Sequence, residues 1–305
     1  MTALYEIFGQ VFILIAFAAV GFGLAKGGIV NPSHAGILSK LLVFIFLPSN
    51  VFKTFATNFN LIYIKTNWCI LLTALVAISV ISVGAFFASR LFSKNKYERG
   101  VFEYSLAIPN TGYMGYPLAE VLIGQTGLMH IMLFAIPIQI YIYTYGYARL
   151  TKRKLSPKKL INSVTVSMIL GIAFGLSGLK LPKVPLTFLT NASSCMGPIS
   201  MLLAGIAISE FGVKPLFSEK RAYILSAFRL VLIPLVVGGL AYLAFGNEVA
   251  AIAALYFAMP CGLNTIVFAK AVDEPCKTGV SLVFVSTVLS CITIPLLLYL
   301  FGIGS

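Results

Sequence analysis

Two apolar stretches of the sequence are each interrupted by a proline that small or polar residues follow at once. They read Pro109-Asn110-Thr111-Gly112 and Pro260-Cys261-Gly262-Leu263-Asn264-Thr265. Proline removes one backbone donor and clashes with the preceding helical turn, so each motif predicts a broken helix. The half-helix after such a break begins with unpaired N–H groups and carries about half a positive charge at that end. With asparagine and threonine donors beside it, each break favours the binding of an anion such as a carboxylate.

The composition of the chain places these breaks inside a lipid bilayer. Hydrophobic residues make up 59% of the 305 positions and charged residues 10%, whereas roughly a quarter of a soluble domain is charged. A helix needs about 20 apolar residues to cross the hydrocarbon core of a membrane. The predicted spans are 10–26, 36–57, 67–91, 100–123, 128–148, 161–181, 187–211, 221–244, 248–270 and 279–301. We therefore expect an all-α integral membrane protein with ten transmembrane helices, of which the fourth and ninth are broken.

The basic residues predict the orientation of these spans. Of the 22 lysines and arginines, 17 fall in loops after odd-numbered spans and 4 in loops after even-numbered spans. Because basic loops stay in the cytoplasm, both termini are expected outside the cytoplasm of a chain in the inner (plasma) membrane. The formal charge of +13 thus reflects topology and the lipid bilayer, and no nucleic-acid partner is expected. The basic run 151–159 is predicted to be a cytoplasmic linker between two halves, 1–150 and 160–305.

The two halves of the chain resemble each other. Phe22-Gly23-Leu24 recurs as Phe174-Gly175-Leu176 at an offset of 152, and Pro109 recurs as Pro260 at an offset of 151. Since each half would hold five spans, an odd number, the second half must insert upside down. Two inverted five-helix repeats are typical of secondary transporters, whose site lies at the repeat interface near the middle of the membrane. In that arrangement the two breaks can face each other at one depth.

Three motifs resemble those of the auxin efflux carrier family. They are Asn110-Thr111-Gly112-x-x-Gly115-Tyr116-Pro117, Ala258-Met259-Pro260 with Asn264, and Ser286-Thr287-x-x-Ser290-x-x-Thr293-Ile294-Pro295. That family includes plant PIN-type auxin exporters and bacterial malate and malonate permeases, and it is similar in fold to the bile acid sodium symporters. The resemblance covers essentially the whole chain, and the length of the chain suits a bacterial member.

The resemblance implies an architecture and a mechanism. A core transport domain, about 67–148 and 221–301, would move like an elevator against a scaffold domain, about 10–57 and 161–211. The resemblance also implies a homodimer, and a substrate that binds where the fourth and ninth spans cross.

Further site residues come from the same resemblance. Gln139 and Tyr143 on the fifth span resemble positions that face the substrate, although Gln139 could equally bond to a neighbouring helix. Asn50 and Ser200 occupy corresponding places in the two arms of the scaffold and could line the opposite wall of the site. For Ser200 and the glycine near it, packing of small residues between helices is the alternative interpretation.

Charged residues within the spans are candidates for coupling or ion pairing. Arg229 lies about two turns inside the eighth span, where a charge is costly unless it is paired. Glu103 and Glu210 are the candidate partners, and snorkelling to the cytoplasmic headgroups is the alternative. Glu120, on the outer half of the fourth span, could carry a coupling proton if it is buried. The coupling ion, proton or sodium, stays open, since hard-cation sites need oxygen ligands that sequence alone cannot assemble.

These observations lead us to expect a secondary active transporter of a small carboxylate such as malate, malonate or an indole-type acid. The alternatives are a sodium-coupled symporter of the bile-acid type and a membrane receptor that binds without transporting. The sequence contains no HExxH, GxSxG or GxxxxGK[ST] motif, so neither an enzyme nor direct use of ATP is predicted. No cofactor and no metal site are expected, because the five cysteines show no metal-ligand spacing.

Overall fold

The computed structural model is described for residues 2–32, 35–151, 163–210, 213–270 and 277–302, and most of the basic run 151–159 lies outside them. The helices of the first half are α1 (Thr2–Lys26), α2 (Ala35–Leu41), α3 (Leu47–Asn58), α4 (Leu61–Phe92), α5 (Lys96–Ala107), α6 (Tyr116–Tyr141) and α7 (Tyr147–Thr151). Those of the second half are α8 (Ser163–Leu176), α9 (Lys183–Ser194), α10 (Met196–Ser209), α11 (Val213–Phe217), α12 (Lys220–Ala227), α13 (Ile233–Phe245), α14 (Asn247–Ala258), α15 (Asn264–Lys270) and α16 (Lys277–Leu300). No strand forms in this part of the chain, which confirms the all-α prediction.

Several helices are built to cross a bilayer. Within the described ranges, four stretches are long and apolar enough: Lys65–Phe92, Leu122–Tyr141, Lys220–Phe245 and Lys277–Leu300. Large apolar side chains on them, such as Val80, Leu240 and Leu296, are exposed on the surface of the protein, as expected for a face that contacts lipid. The chain is therefore a multi-pass membrane protein, while the full count of ten spans stays a prediction.

Three π-helical turns occur just before a proline, and an α-helix continues after each of them. The turns Leu42–Phe46, Thr111–Gly115 and Phe228–Leu232 are π-helical, and each ends two residues before a proline. A proline has no N–H for the carbonyl four residues earlier, so the N–H just before it bonds five residues back instead. One of these turns, Thr111–Gly115, directly follows the first predicted break.

A glycine separates the predicted fourth and fifth spans. α6 includes the end of the predicted fourth span and the start of the fifth. It is kinked at Gly124, whose φ is +66°. Residues with a side chain rarely adopt this conformation, whereas glycine adopts it without steric cost. The boundary predicted between 123 and 128 is therefore a kink inside one hydrogen-bonded helix.

Two helix pairs, which together form the first group of helices, are packed backbone against backbone. α1 lies along α10, and α3 lies along α8. A Cβ atom at Gly21 would overlap the backbone of Leu202, and one at Gly175 would lie 2.5 Å from the carbonyl oxygen of Phe59. Small residues allow this close approach between membrane helices, whose association depends on van der Waals contact. In the second group, α4 packs on α5 and α6, α13 packs on α14, and α16 packs on α12 and α14.

Arg221 connects the ends of four helices in the second group. Its guanidinium donates to Glu98 over 3.0 Å, to Glu219 over 2.7 Å and to the carbonyl oxygen of Phe92 over 3.1 Å. Thr278 of α16 also donates to Glu98, over 3.1 Å. Burial alone would raise the pKa of Glu98, but the bonds from Arg221 and Thr278 outweigh it and hold that pKa below its ordinary value of 4.5.

The close approach of α1 and α10 can be tested with two glycines of the same helix. Gly21→Ala should destabilise the protein, because its methyl group would overlap the backbone of Leu202; overpacking typically costs about 1–3 kcal/mol. Gly23→Ala meets nothing within 4 Å and should be neutral or slightly stabilising. Thermal unfolding of the purified protein in detergent measures both variants. Equal melting temperatures for the two would contradict the packing.

Acidification should weaken the cluster around Arg221. Because the pKa of Glu98 is lower in the folded state, its stabilising effect is present at neutral pH and is lost as the pH falls below about 4.5. We expect Glu98→Gln to lower the melting temperature at neutral pH and to flatten its decline between about pH 5 and pH 3, where the wild-type carboxylate becomes protonated. Melting curves of the two proteins across this range are the measurement. If the two declines run parallel, Glu98 does not contribute in this way.

Candidate functional site

Both proline breaks form, and the structure brings them together. The chain leaves helical geometry at 108–110, between α5 and the turn Thr111–Gly115, and again at 259–263, between α14 and α15. The two extended segments cross antiparallel, with Pro109 opposite Cys261. The crossing is buried, as a helix interruption inside a membrane protein has to be.

The two breaks satisfy each other's backbone groups. The N–H of Asn110 donates to the carbonyl oxygen of Pro260 over 2.8 Å. The N–H of Gly262 donates to the carbonyl oxygen of Ile108 over 3.0 Å. Buried backbone groups without partners are costly, so this exchange is what allows both helices to be interrupted at the same point.

Two side chains outside the described cavity wall bond to the second extended segment of the crossing, 259–263. The N–H of Cys261 donates to Ser286 Oγ over 3.0 Å, and Thr265 Oγ1 donates to the carbonyl oxygen of Gly262 over 3.1 Å. A Cβ at Gly262 would lie 3.1 Å from the carbonyl oxygen of Ile108, so glycine permits the close approach. Cys261 and Thr265, two predicted site residues, therefore support the crossing from behind.

A cavity of about 70 Å³ opens beside the crossing. The predicted site residues in its wall are Pro109, Asn110, Thr111, Gly112, Gln139, Gly262 and Asn264. Pro260, Cys261 and Thr265 are absent from the described wall. Leu47 of α3 contributes to the wall, so the cavity lies where the first group of helices meets the second. It has room for about two or three water molecules.

Polar atoms in this wall have no partner among the described residues. Asn110 Oδ1 and Gln139 Oε1 are buried and make no hydrogen bond there, and Asn110 is only 4% exposed. Buried polar atoms in folded proteins are rarely left in this state. Since an amide can present either its oxygen or its NH₂ group, the two side chains can accept from or donate to a polar guest.

Three tyrosines complete the wall and its support. Asn264 Nδ2 donates to the hydroxyl oxygen of Tyr104 over 3.0 Å, and Gln139 Nε2 donates to that of Tyr116 over 3.3 Å. Tyr116 and Tyr256 line the cavity themselves. None of these three tyrosines is among the predicted site residues. The available signal in the sequence was a tyrosine about one turn before each helix-breaking proline, at Tyr104 and Tyr256.

Other predicted site residues lie in helix packing or on a neighbouring turn. Asn50 is fully buried in α3, and its Nδ2 lies 3.9 Å from Met196 Sδ of α10. Ser200 Oγ donates to the carbonyl oxygen of Gly197 over 2.9 Å inside α10. Neither residue lies in the described cavity wall, and a role of either in substrate binding stays a prediction. Tyr143 belongs to the π-helical turn Ile142–Gly146.

The pairing expected for Arg229 is wrong. Glu103 accepts from Arg149 over 2.7 Å and from the Tyr145 hydroxyl over 2.6 Å. Arg149 reaches it because α5 packs against α7, a contact that local sequence does not reveal. Glu210 lies exposed where α10 ends. Arg229 instead donates to a backbone carbonyl, that of Leu106, over 3.4 Å.

Glu120 is half-buried and already paired. Lys53 Nζ lies 3.5 Å from Glu120 Oε1, and Gln125 Nε2 also donates to that oxygen. Lys53 lies in α3 and is only 7% exposed. The pair thus joins α3 of the first helix group to α6 of the second. No three potential metal ligands cluster within the described ranges, and a role of Glu120 in proton coupling stays a prediction.

Comparison with known proteins agrees with this architecture. Residues 6–158 and 149–298 match the family described as membrane transport protein. The chain is 26% identical over 304 residues to an uncharacterized transporter of Methanocaldococcus jannaschii, covering 94% of this chain and 96% of that protein. It is 22% identical over 294 residues to an uncharacterized transporter of Methanothermobacter thermautotrophicus, covering 93% and 94%. Because the family match spans nearly the whole chain, the protein belongs to the membrane transport protein family, which includes the auxin efflux carriers, and it is a transporter rather than an enzyme.

Proposed function

We propose that the protein is a secondary active transporter of a small organic anion, a carboxylate such as malate, malonate or an indole-type acid. The observation that carries the proposal is the cavity wall beside the crossing, where Asn110 and Gln139 hold buried polar atoms without partners. With their NH₂ groups turned toward the cavity, these amides would donate hydrogen bonds to a carboxylate there. The carboxylate would also meet the backbone N–H groups that begin the turn Thr111–Gly115, the positive end of the helical run into α6.

The remaining wall suits the hydrocarbon part of such an acid. Leu47, Ile108, Ile142 and Leu263 line the cavity with apolar side chains. At about 70 Å³ the cavity is far smaller than the roughly 300–1,000 Å³ of a typical ligand site, so a small acid would need it to widen and an indole-type acid would need the two helix groups to separate. The crossing would thus recognise the charge of the substrate. The part of the wall that α3 contributes would limit the size of the substrate.

The proposed architecture is two inverted five-helix repeats, 1–150 and 160–305. It is supported by the exchange of partners between the halves: α1 packs on α10 while α3 packs on α8. Gly28 and Gly178, both with positive φ, follow α1 and α8 at an offset of 150 residues. Such repeats are common in secondary transporters, and both termini outside the cytoplasm fit the distribution of basic residues.

Alternating access would follow from movement of the core domain, about 67–148 and 221–301, against the scaffold domain, about 10–57 and 161–211. Support comes from the position of the cavity between the two groups and from close backbone packing inside the scaffold. The pair of Lys53 and Glu120 spans the same boundary and would have to rearrange during such an elevator movement. A homodimer and a coupling proton or sodium ion belong to the same proposal.

The first test is transport by purified protein in proteoliposomes on a solid-supported membrane. Malate, malonate, indole-3-acetate and taurocholate are presented in turn, with and without sodium and with a pH step. Asn110→Ala should weaken the response to the transported acid about 10–100-fold, because a hydrogen bond to a charged group contributes roughly 1.5–3 kcal/mol. Asn191→Ala, on the exposed face of α9, is the matched control and should behave like the wild-type protein.

Each result of this test bears on the proposal. A response that Asn110→Ala loses and Asn191→Ala keeps supports the site. A response that both variants keep contradicts it. Binding of an acid without any transport, checked by counterflow of the labelled acid, would favour a receptor instead.

The elevator movement can be tested by cross-linking the two helix groups. In a cysteine-free background, Lys53→Cys with Glu120→Cys is joined by a reducible bis-thiosulfonate reagent. Transport should fall at least about tenfold and return after reduction, because the link would stop movement of α6 against α3. Phe52→Cys with Phe174→Cys, whose parent rings lie 6.1 Å apart within the scaffold, is the control. Unchanged transport with the first pair linked would contradict the movement.

A further inference from the structure

Arg229 is the largest fully buried side chain in the described part of the protein, and it touches both broken helices. Its Nη1 donates to the carbonyl oxygen of Leu106, the second-last residue of α5. Its Cζ lies 5.4 Å from the ring centre of Phe257, the second-last residue of α14. The guanidinium therefore lies at the carboxyl ends of the two half-helices that lead into the crossing.

The charge of Arg229 has no counterpart among the described carboxylates. Its Nε and Nη2 make no hydrogen bond there, although the side chain is 0% exposed. The other buried charges are paired, Lys53 with Glu120 and Glu103 with Arg149. A charge at this depth in a membrane protein is costly unless something balances it. The partial negative charge of the two helix ends balances part of it.

The carboxyl ends of broken helices are where transporters coordinate a coupling cation. Carbonyls freed by the break supply the oxygen ligands, while the amino ends of the following half-helices face the anionic substrate. Here a guanidinium already bonds to such a carbonyl, at Leu106. A sodium ion in the same place would meet a fixed positive charge and would lose this ligand.

We propose that Arg229 is a tethered cation that takes the place of a coupling sodium ion, so that the carboxylate binds at the crossing without sodium. The inference rests on the proposed function, because it concerns the same site. Arg229 acts through its charge from behind the crossing, where it bonds to the carbonyl oxygen of Leu106 and packs on Phe257. The helix ends balance part of the positive charge of Arg229. The negative charge of the substrate carboxylate, on the cavity side, balances the rest.

The test is uptake of radiolabelled malate, malonate and indole-3-acetate into proteoliposomes, in sodium buffer and in N-methyl-D-glucamine buffer. We expect the wild-type protein to show the same KM in both. Arg229→Gln should raise the KM about tenfold or more, since a nearby opposite charge in a poorly solvated site is lost. Arg229→Lys should restore most of the affinity. Arg90→Gln, which removes an exposed arginine at the end of α4, is the matched control.

The outcomes separate the inference from the proposed function. If the wild-type protein transports none of the three acids, the proposed function fails and the inference with it. If it transports an acid only in sodium buffer, the proposed function stands and the tethered cation is excluded. An Arg229→Gln variant that keeps the wild-type KM, with only a lower melting temperature, would make Arg229 structural and overturn the inference. Should Arg229→Gln not fold, the KM of Arg229→Lys and the sodium comparison still decide.

Discussion

An interrupted helix inside a membrane has no water to satisfy the backbone groups that the interruption frees, and the architecture of this protein depends on how that constraint is met. The two interruptions meet it for each other, since Asn110 and Gly262 donate to the carbonyls of Pro260 and Ile108. Neither break would be stable alone, so the two halves of the chain have to come together at this point. The close approach requires a glycine at 262, where any side chain would press on the Ile108 carbonyl.

Crossing two broken helices also separates charge without using charged residues. The carboxyl ends of α5 and α14 lie on one side, where Arg229 contacts both. The amino end of the turn Thr111–Gly115 lies beside the cavity. Because the protein interior is a medium of low dielectric constant, partial charges held in fixed positions act strongly on a bound ion. A chain in which only 10% of residues are charged can thus offer a site for an anion.

The parts of this site that sequence could predict are those determined locally. Pro109 and Pro260 are each followed at once by small or polar residues, and this combination predicts an interruption from the local sequence alone. What could not be predicted depends on packing between distant segments. Glu103 pairs with Arg149 because α5 lies on α7, and Lys53 is buried because Glu120 of another helix meets it. The side of the crossing to which Cys261 or Thr265 turns is likewise set by its neighbours, Ser286 among them.

The two groups of helices differ in how they are joined, and this difference locates the boundary along which they would move. Within the first group, the helix backbones are in direct contact at Gly21 and Gly175. Sliding one helix of a pair along the other would therefore create steric clashes. Across the boundary, the cavity, Leu47 and a partly exposed ion pair intervene. Side-chain contacts of this kind can exchange partners, whereas backbones in direct contact cannot move past each other. Opening the cavity along that boundary would leave the crossing itself intact, because all four of its backbone partners lie in the second group and would travel together.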